Sequence, residues 1–443
     1  MDKTNNSRRD FLKTVSGGIL SSLFITWRCT SGRKQKPNIV LIMADDLGFE
    51  CIGANGGNSY STPVLDRLAA EGTRFEHCYA QPLCTPSRVQ LMTGIYNVRN
   101  YTDFGVLDTS QVTFANLLKQ VGYATCVVGK WQLGGGLEAP HHFGFDEYCL
   151  WQLTRRRMDD ENRDTRYPNP KLEINHEEVN YTNGEYGPDV VSDYACDFMQ
   201  HNQNRPFLLY YPMILTHCPF DPTPDSSDWN PKSSGSLNYK GDIKYFGNMV
   251  SYMDKMVGKI VNKLEELSLR ENTLVLFTGD NGTDEPVVSY LDHKEISGGK
   301  GLTTDAGTHV PLIVNWPGVT PEGHICRDMV DFSDIFPTIC DCTELTTHRD
   351  LKIDGRSFLP QLKGEKGNPR EWIYCWFSRN GNVEEARVFA RNHRYKLYQT
   401  GEFYDIQNDI LEKVPLHTED LGEPELSIRK MLENALEQYK NIR

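Results

Sequence analysis

Residues 81–94 read QPLCTPSRVQLMTG. A thiol at Cys84 is followed by Pro86, Ser87 and Arg88, and then by Met92-Thr93-Gly94. Proline is pre-organised for the first turn of a helix, so the spacing places Cys84 at a helix start. Free backbone amides and the helix dipole favour an anion there. A second set of residues is acidic. The apolar run Asn38 to Met43 ends in Ala44-Asp45-Asp46, and Leu274 to Thr278 ends in Gly279-Asp280-Asn281. Three carboxylates and an amide oxygen, without imidazole or thiolate, suit a hard divalent cation. A third set is cationic: Lys130 in Gly129-Lys130-Trp131-Gln132-Leu133-Gly134, Lys300 in Gly298-Gly299-Lys300-Gly301, and His217 in Thr216-His217-Cys218-Pro219-Phe220. Taken singly, lysines are solvated charges and a lone histidine is a satisfied structural group. Gathered with Arg88 in a dry site, they would hold an anion far more strongly than in water.

These residues need elements that bring them together. Asn38 to Met43, Ala124 to Val128, Phe207 to Tyr211, Leu274 to Thr278 and Val310 to Val314 are near-continuous apolar runs of strand length. Runs apolar on both faces mark buried parallel strands. Pro63 to Ala70, with Thr62 as cap and Gly72 as stop, Thr113 to Val121, and Phe246 to Leu267 carry helical spacing. Alternating strands and helices predict an α/β fold, a large doubly wound and mostly parallel sheet flanked by helices. Its ligand site should lie beyond the carboxyl ends of the strands, where the polar clusters fall. From about residue 345 the pattern changes to short strands at Glu371 to Phe377, Ala386 to Ala390, Tyr395 to Gln399 and Glu402 to Tyr404, followed by an amphipathic helix through Ile428, Leu432, Ala435, Leu436 and Tyr439. This predicts a smaller α+β subdomain with an antiparallel sheet. The expected organisation is an export signal over 1–36, a catalytic domain over 37–344 and the C-terminal subdomain over 345–443. Residues 152–185 and 221–245 read as polar loops beside the site.

The net charge of −13 argues against a nucleic-acid partner and means that an anionic substrate needs a local cationic pocket. No run of eighteen apolar residues occurs, so no spanning helix is expected. The twelve cysteines form no C-x-x-C pair and no zinc-type cluster, and those in apolar runs read as small buried hydrophobes. Ser7-Arg8-Arg9-Asp10-Phe11-Leu12-Lys13 and the apolar stretch Val15 to Ile25 fit a twin-arginine export signal. Trp27-Arg28 before Cys29 lack the small residues of a lipid-attachment site. Export by this route puts the protein in the periplasm or outside a bacterial cell, and it crosses already folded. A residue modification can then be installed beforehand, so a maturation enzyme and the twin-arginine machinery are expected partners.

Cys84-Thr85-Pro86-Ser87-Arg88 with Met92-Thr93-Gly94 resembles the signature of the type I sulfatases of the alkaline phosphatase superfamily, C-x-P-S-R-x-x-x-[LM]-T-G. The resemblance runs from Asn38 to about Asp409 and includes Phe403-Tyr404-Asp405. It implies a sulfuric ester hydrolase in which Cys84 is oxidised to Cα-formylglycine. One hydroxyl of the hydrated aldehyde attacks sulfur in line, giving a covalent sulfo-enzyme. The other, on deprotonation, collapses to the aldehyde and expels sulfate by C–O cleavage, so release needs no second attack on sulfur. It implies one calcium ion, with magnesium the alternative, held by Asp45, Asp46, Asp280, Asn281 and the residue made from Cys84. Arg88, Lys130 and Lys300 would bind the nucleophile and sulfate, and His217, alone or with Lys300, would protonate the leaving alkoxide.

Two positions depart from the pattern. Gln132 stands where the family usually has histidine and cannot take a proton near neutral pH. Asp305-Ala306-Gly307-Thr308-His309 stands where glutamate and arginine are more usual, and His309 is expected to make a structural contact. Family habit and export imply a sulfated carbohydrate as substrate, with small aryl sulfates as artificial ones. The candidates for reading it are Gln132, Tyr101, Asp103, Trp151, Arg155 and His293. The alternatives are a phosphonate or phosphate ester hydrolase of the same superfamily and a silent sugar-binding homologue whose Cys84 stays a thiol.

Overall fold

The structure, a computed structural model, describes residues 36–443. The twin-arginine segment, the neighbouring Cys29 and nearly all of the expected 1–36 signal lie outside the described residues. The strands in chain order are β1 (Asn38–Ala44), β2 (Thr73–Tyr79), β3 (Ala124–Lys130), β4 (Glu147–Trp151), β5 (Lys171–Ile174), β6 (Glu177–Asn180), β7 (Phe207–Pro212), β8 (Thr273–Gly279), β9 (Val288–Leu291), β10 (Lys294–Ser297), β11 (His309–Asn315), β12 (His324–Asp331), β13 (Ile373–Phe377), β14 (Arg387–Arg391), β15 (Tyr395–Tyr398) and β16 (Phe403–Asp405).

Ten of them form one sheet in the order β12-β2-β11-β8-β1-β7-β3-β4-β5-β6. The middle five, β8 to β4, are mutually parallel, and β11 runs against β8 and β2. Every residue of β1, β3, β7 and β8 is buried, because the sheet is covered on both faces. Alternation along β1 splits the core in two. Ile39, Leu41 and Met43 face one layer, with Val89, Phe114 and Phe336. Val40, Ile42 and Ala44 face the other, with Met249, Met253, Met256 and Val257 of the long helix Phe246–Glu266. At about 25 cal/mol per Å² of apolar surface removed from water, these layers are the main stabilising term.

The expected elements form with small shifts at their ends, and three details differ. Thr62 does not cap the helix Pro63–Ala70. Its first free amides, Val64 N and Leu65 N, donate instead to the Asp254 carboxylate at 3.0 and 2.9 Å. A carboxylate from a packed helix satisfies two orphan donors where one hydroxyl would reach a single amide. Thr113, by contrast, forms a capping box with Asn116. The stretch 152–185, read from its polarity as loop, contains the antiparallel extension β5–β6, which pairs onto β4. The hairpin β9–β10 also escapes the pattern, because its apolar residues are sparse.

The C-terminal strands form a separate antiparallel sheet, β13-β14-β15-β16. Tyr374, Trp376 and Val388 pack into the first core layer. Ala390, Leu397 and Phe403, on the same face by register, receive Leu432 and Ala435 of the helix Glu423–Glu437, and Cys375, Phe389 and Tyr398 cluster on the opposite face. Arg370, just before β13, is clasped by the Asp334 carboxylate and the Tyr96 hydroxyl.

Candidate active site

The three sets of residues meet at the carboxyl ends of the central strands. β1 and β8 are parallel neighbours with Ala44 opposite Gly279, so the residues that follow, Asp45-Asp46 and Asp280-Asn281, emerge side by side. Asp46 takes a left-handed backbone, φ 61°, and its N–H donates to Asp280 Oδ1 at 3.0 Å. Such a conformation in a non-glycine residue is held only by surrounding contacts. β3 ends at Lys130 and β7 leads to His217. Gly129, at φ 113°, lets β3 pass close to β7, since a Cβ there would lie 2.0 Å from the Pro212 carbonyl oxygen. Cys84 is the first residue of the helix Cys84–Thr93, with Pro86 in its first turn.

Each buried carboxylate meets a cation. Lys130 Nζ donates to Asp45 Oδ2 at 2.7 Å, Lys300 Nζ to Asp46 Oδ2 at 2.6 Å, and Arg88 Nη2 to Asp280 Oδ2 at 3.2 Å. Burial disfavours ionisation of Asp45, yet Lys130, Arg88 and Lys300 outweigh it and hold its carboxyl below the ordinary range. For Asp46 burial wins over Lys300, and its carboxyl is pushed up. Asp280 is pushed up to about 7, by burial and then by Asp45. Burial disfavours the Lys300 ammonium, but Asp46 leads the neighbours that hold it firmly protonated. Arg88 does not reach the pocket wall. It lies behind, also donating to the Lys130 carbonyl at 2.5 Å, and so braces Asp280 rather than facing a sulfate.

Cys84, Lys130, Gln132, Trp151, His217 and Lys300 line one pocket of about 250 Å³. The Cys84 thiol donates to Gln132 Oε1 at 2.8 Å. Burial, together with Asp280 and Asp45, pushes this thiol up despite Lys130 and Lys300. His217 Nδ1 lies between the Cys218 carbonyl, which can only accept, at 2.5 Å and the Arg166 guanidinium, which can only donate, at 2.8 Å. On the other side of the ring, Nε2 lies 3.1 Å from the Lys300 ammonium. Burial, Lys300, Lys130 and Arg166 all push the imidazole well below its ordinary value. Roomier hollows of about 560 and 930 Å³ lie against the C-terminal sheet and beside the long helix. Neither contains any of these residues, so volume alone does not mark the site.

Of the residues proposed to read substrate, Gln132 and Trp151 stand on the pocket wall and four do not. Tyr101 is fully buried and gives its hydroxyl to the Arg379 carbonyl at 2.7 Å. Asp103 accepts from the Phe104 backbone at 2.7 Å and shapes its own loop. Arg155 turns toward Glu178, 3.7 Å away. His293 sits at the β9–β10 turn, its N–H bonded to Asn58. In their places the pocket presents Phe104, Gln152, Arg157, Arg166, Tyr239 and Arg379. Arg166 is buried, held by Asp164 through Nε and Nη2 at 2.8 and 2.9 Å, with Nη1 2.8 Å from His217 Nδ1. An arginine-rich run over 155–157 and again at 163 and 166 was the available signal. Which of its members point inward depends on the turn before β5. His309 bonds the Glu76 carbonyl at 2.9 Å and stacks on Phe49, and Asp305 pairs with Arg391. Both lie away from the pocket wall.

A hard divalent ion fits the strand-end cluster. Asp45 Oδ1 and Asn281 Oδ1 are buried and accept no hydrogen bond, whereas buried polar atoms normally have partners. Asn281 gives its amide hydrogens to Asp46 Oδ1 and the Gly282 carbonyl, both at 2.9 Å, which fixes its oxygen as the free atom. Asp45, Asp46 and His217 bring ligand atoms within 4.8 Å of one another. The His217 nitrogen faces the Lys300 ammonium, and hard ions prefer oxygen, so the aspartates and Asn281 are the better donor set.

Sequence comparisons agree with this arrangement. Residues 37–345 match the Sulfatase family, and residues 299–441 match the N-sulphoglucosamine sulphohydrolase C-terminal family. The chain is 32% identical to an N-acetylgalactosamine-6-sulfatase of Canis lupus familiaris, covering 78% of this chain and 69% of that one. It is 30% identical to an N-acetylgalactosamine-6-O-sulfatase of Bacteroides thetaiotaomicron, covering 76% and 79%. It is 29% identical to a human steryl-sulfatase, covering 77% and 72%. Its fold is similar to that of Ps i-CgsB, with a TM-score of 0.75 and 26% identity over 92% of this chain and 93% of that one. That protein has also been solved in complex with k-i-k-neocarrahexaose. The match spans more than half of the chain and contains every strand-end residue described above, so the chain belongs to the type I sulfatase family and is a sulfuric ester hydrolase.

Proposed function

We propose that this sulfatase hydrolyses a sulfate ester on a carbohydrate and that the residue at position 84 is its nucleophile. One observation carries the reading. Cys84 opens a helix and lines a small pocket together with Lys130, His217 and Lys300, and the two lysines are paired with Asp45 and Asp46 of the strand-end cluster behind the wall. Relatives named for sulfated sugars support the substrate class.

Matured to Cα-formylglycine, position 84 supplies, as the hydrated aldehyde, one hydroxyl to attack sulfur and a second whose deprotonation releases sulfate. A calcium or magnesium ion held by Asp45, Asp46, Asp280 and Asn281 supplies Lewis-acid polarisation and neutralises developing charge. The chain's own residues do the rest. Lys130 and Lys300 place positive charge against the sulfate oxygens, and their burial makes that charge effective. As the S–O bond to the sugar breaks, the departing oxygen takes a proton from the His217–Lys300 pair, whose Nε2 and Nζ are 3.1 Å apart. Gln132, 2.8 Å from the position-84 side chain, orients the nucleophile by hydrogen bonding. Arg88 braces Asp280, and Arg166, held by Asp164, lies beside His217.

The twin-arginine residues Ser7 to Lys13 support export to the periplasm or beyond in a bacterium, after a maturation enzyme has acted. A reporter fused to residues 1–36 should leave the cytoplasm only in cells with a working twin-arginine system.

The deciding experiment compares sulfate release from sulfated oligosaccharides by the matured enzyme and by Cys84→Ala, alongside the mass of the peptide carrying position 84. The wild-type peptide should be lighter than its thiol form by about 18 Da, and Cys84→Ala should release no sulfate. An unmodified thiol in an active enzyme, or equal release by both proteins, would remove the proposed nucleophile.

A further inference from the structure

The pocket carries more positive charge than the strand-end chemistry uses. Lys130 and Lys300 are paired with Asp45 and Asp46, and Arg166 with Asp164. Two further arginines line the same cavity, Arg157 and Arg379. Neither is neutralised in that way. Arg157 lies 4.0 Å from the centre of the Tyr239 ring. Its nearest carboxylate, Asp164, is 3.9 Å away and already gives both oxygens to Arg166. Arg379 lies 5.0 Å from the Phe104 ring centre and has no carboxylate partner among the described residues. No carboxylate stands on the pocket wall.

A guanidinium held over an aromatic ring keeps N–H groups at its edge, and that fork matches a carboxylate or sulfate. A chain with net charge −13 has carboxylates in excess, so one arginine without a carboxylate and a second with only a distant, shared one at a single pocket mark a place for an external anion. The pocket is also small. Its 250 Å³ is near the lower end of ligand sites, about 300–1,000 Å³, so a second anion must lie on the sulfated sugar or its immediate neighbour.

We infer that Arg157 and Arg379 form a second anion subsite, and that the preferred substrate is a sugar carrying, besides the scissile sulfate ester, a further anionic group, a carboxylate or a second sulfate. This rests on the carbohydrate reading above for the identity of the scaffold, but not for the subsite itself. Arg157 and Arg379 are specificity residues that bind remote charge, and the reacting sulfur is left to the strand-end residues.

The test uses the matured enzyme and substrate pairs that differ by one anionic group. They are a sulfated disaccharide with a free uronate and its methyl ester, a disulfated sugar and its monosulfated counterpart, and, outside carbohydrates, carboxyphenyl sulfate and phenyl sulfate. The second anion should raise kcat/KM about five- to tenfold, the worth of one charge-assisted contact at a half-exposed site. Rising ionic strength should shrink that advantage. Arg157→Gln and Arg379→Gln should each reduce it severalfold, and the double variant should bring it to about unity. Arg157→Lys and Arg379→Lys, which keep charge without the fork, should retain part of it. The uronate and disulfate arms identify which anion is read. No advantage in wild type, or an advantage that survives intact in the double variant, would overturn the subsite. A gain on carboxyphenyl sulfate with no hydrolysis of any sulfated sugar would support the subsite and remove the carbohydrate reading. Hydrolysis of sulfated sugars with no gain from a second anion would do the reverse.

Discussion

Asp45 and Asn281 follow neighbouring parallel strands, and each keeps one buried side-chain oxygen that accepts no hydrogen bond. Leaving two such atoms dry would cost on the order of 1–3 kcal/mol apiece. A cation between them removes that cost, so calcium should raise the unfolding temperature of the wild-type protein. At a hundred times the dissociation constant the gain is about 2.7 kcal/mol. Asp45→Asn and Asn281→Ala should need at least tenfold more calcium for the same shift, in thermal denaturation and in calorimetric titration. Equal calcium dependence in all three proteins would place the ion elsewhere.

His217 and Lys300 are joined at 3.1 Å, and the pair is assigned to protonating the leaving oxygen. Its value should therefore depend on how badly the leaving group needs a proton. On a sugar sulfate, whose alkoxide is a poor leaving group, His217→Ala should lower kcat about 10²- to 10⁴-fold. On nitrophenyl sulfate, whose phenolate leaves unaided, the loss should be about tenfold or less. A loss of the same size on both would show that His217 serves binding rather than proton transfer.

Arg370 and Asp334 are each about 3% exposed and tie the segment before β13 to the helix that follows β12. Removing one member of a buried pair leaves the other charge uncompensated, which costs about 3–5 kcal/mol. Arg370→Met should lower the denaturant midpoint accordingly, and Arg370→Met with Asp334→Asn, which removes the stranded charge while its amide oxygen can still accept from the backbone, should recover part of the loss. Arg370→Met as stable as wild type would mean that the pair adds nothing to how the C-terminal sheet docks.

His77 is pushed down to about 3, by burial and then by the neighbouring His309, His393 and Arg391, with Asp305 opposing. The sign follows from linkage. The unfolded chain takes up a proton near pH 6.5 that the folded chain refuses, so this contribution is present above about pH 6.5 and is lost as pH falls toward 3. His309 and His393 are shifted in the same direction. His77→Gln should flatten the fall in stability between about pH 6 and pH 4, measured by urea unfolding across that range. An unchanged pH dependence would place the acid-sensitive group elsewhere.

The strand-end cluster is legible because its parts follow runs of clear pattern. Asp45-Asp46 and Asp280-Asn281 come directly after near-continuous apolar runs, and runs apolar on both faces predict buried parallel strands. The helix at Cys84 was marked by Pro86. The specificity residues were not legible for a physical reason. Arg155 and Arg157 are two apart in a polar segment, and composition does not say which faces Glu178 and which faces Tyr239. Asp254 capping a helix 190 residues earlier, and Arg379 reaching the pocket from beyond β13, depend on tertiary contacts that no local pattern encodes. Thr62 failed as a cap for the same reason, since a better acceptor arrived from elsewhere.

Arg379 follows β13 of the four-stranded sheet, while Asp45, Cys84, Arg157, His217 and Asp280 follow β1, β2, β4, β7 and β8 of the ten-stranded one. One of the two arginines of the proposed subsite is thus written in a different stretch of polypeptide from the residues proposed to break the bond. A descendant could trade one sulfated glycan for another by rewriting a surface turn near the carboxy terminus, leaving its hydrolytic engine as inherited.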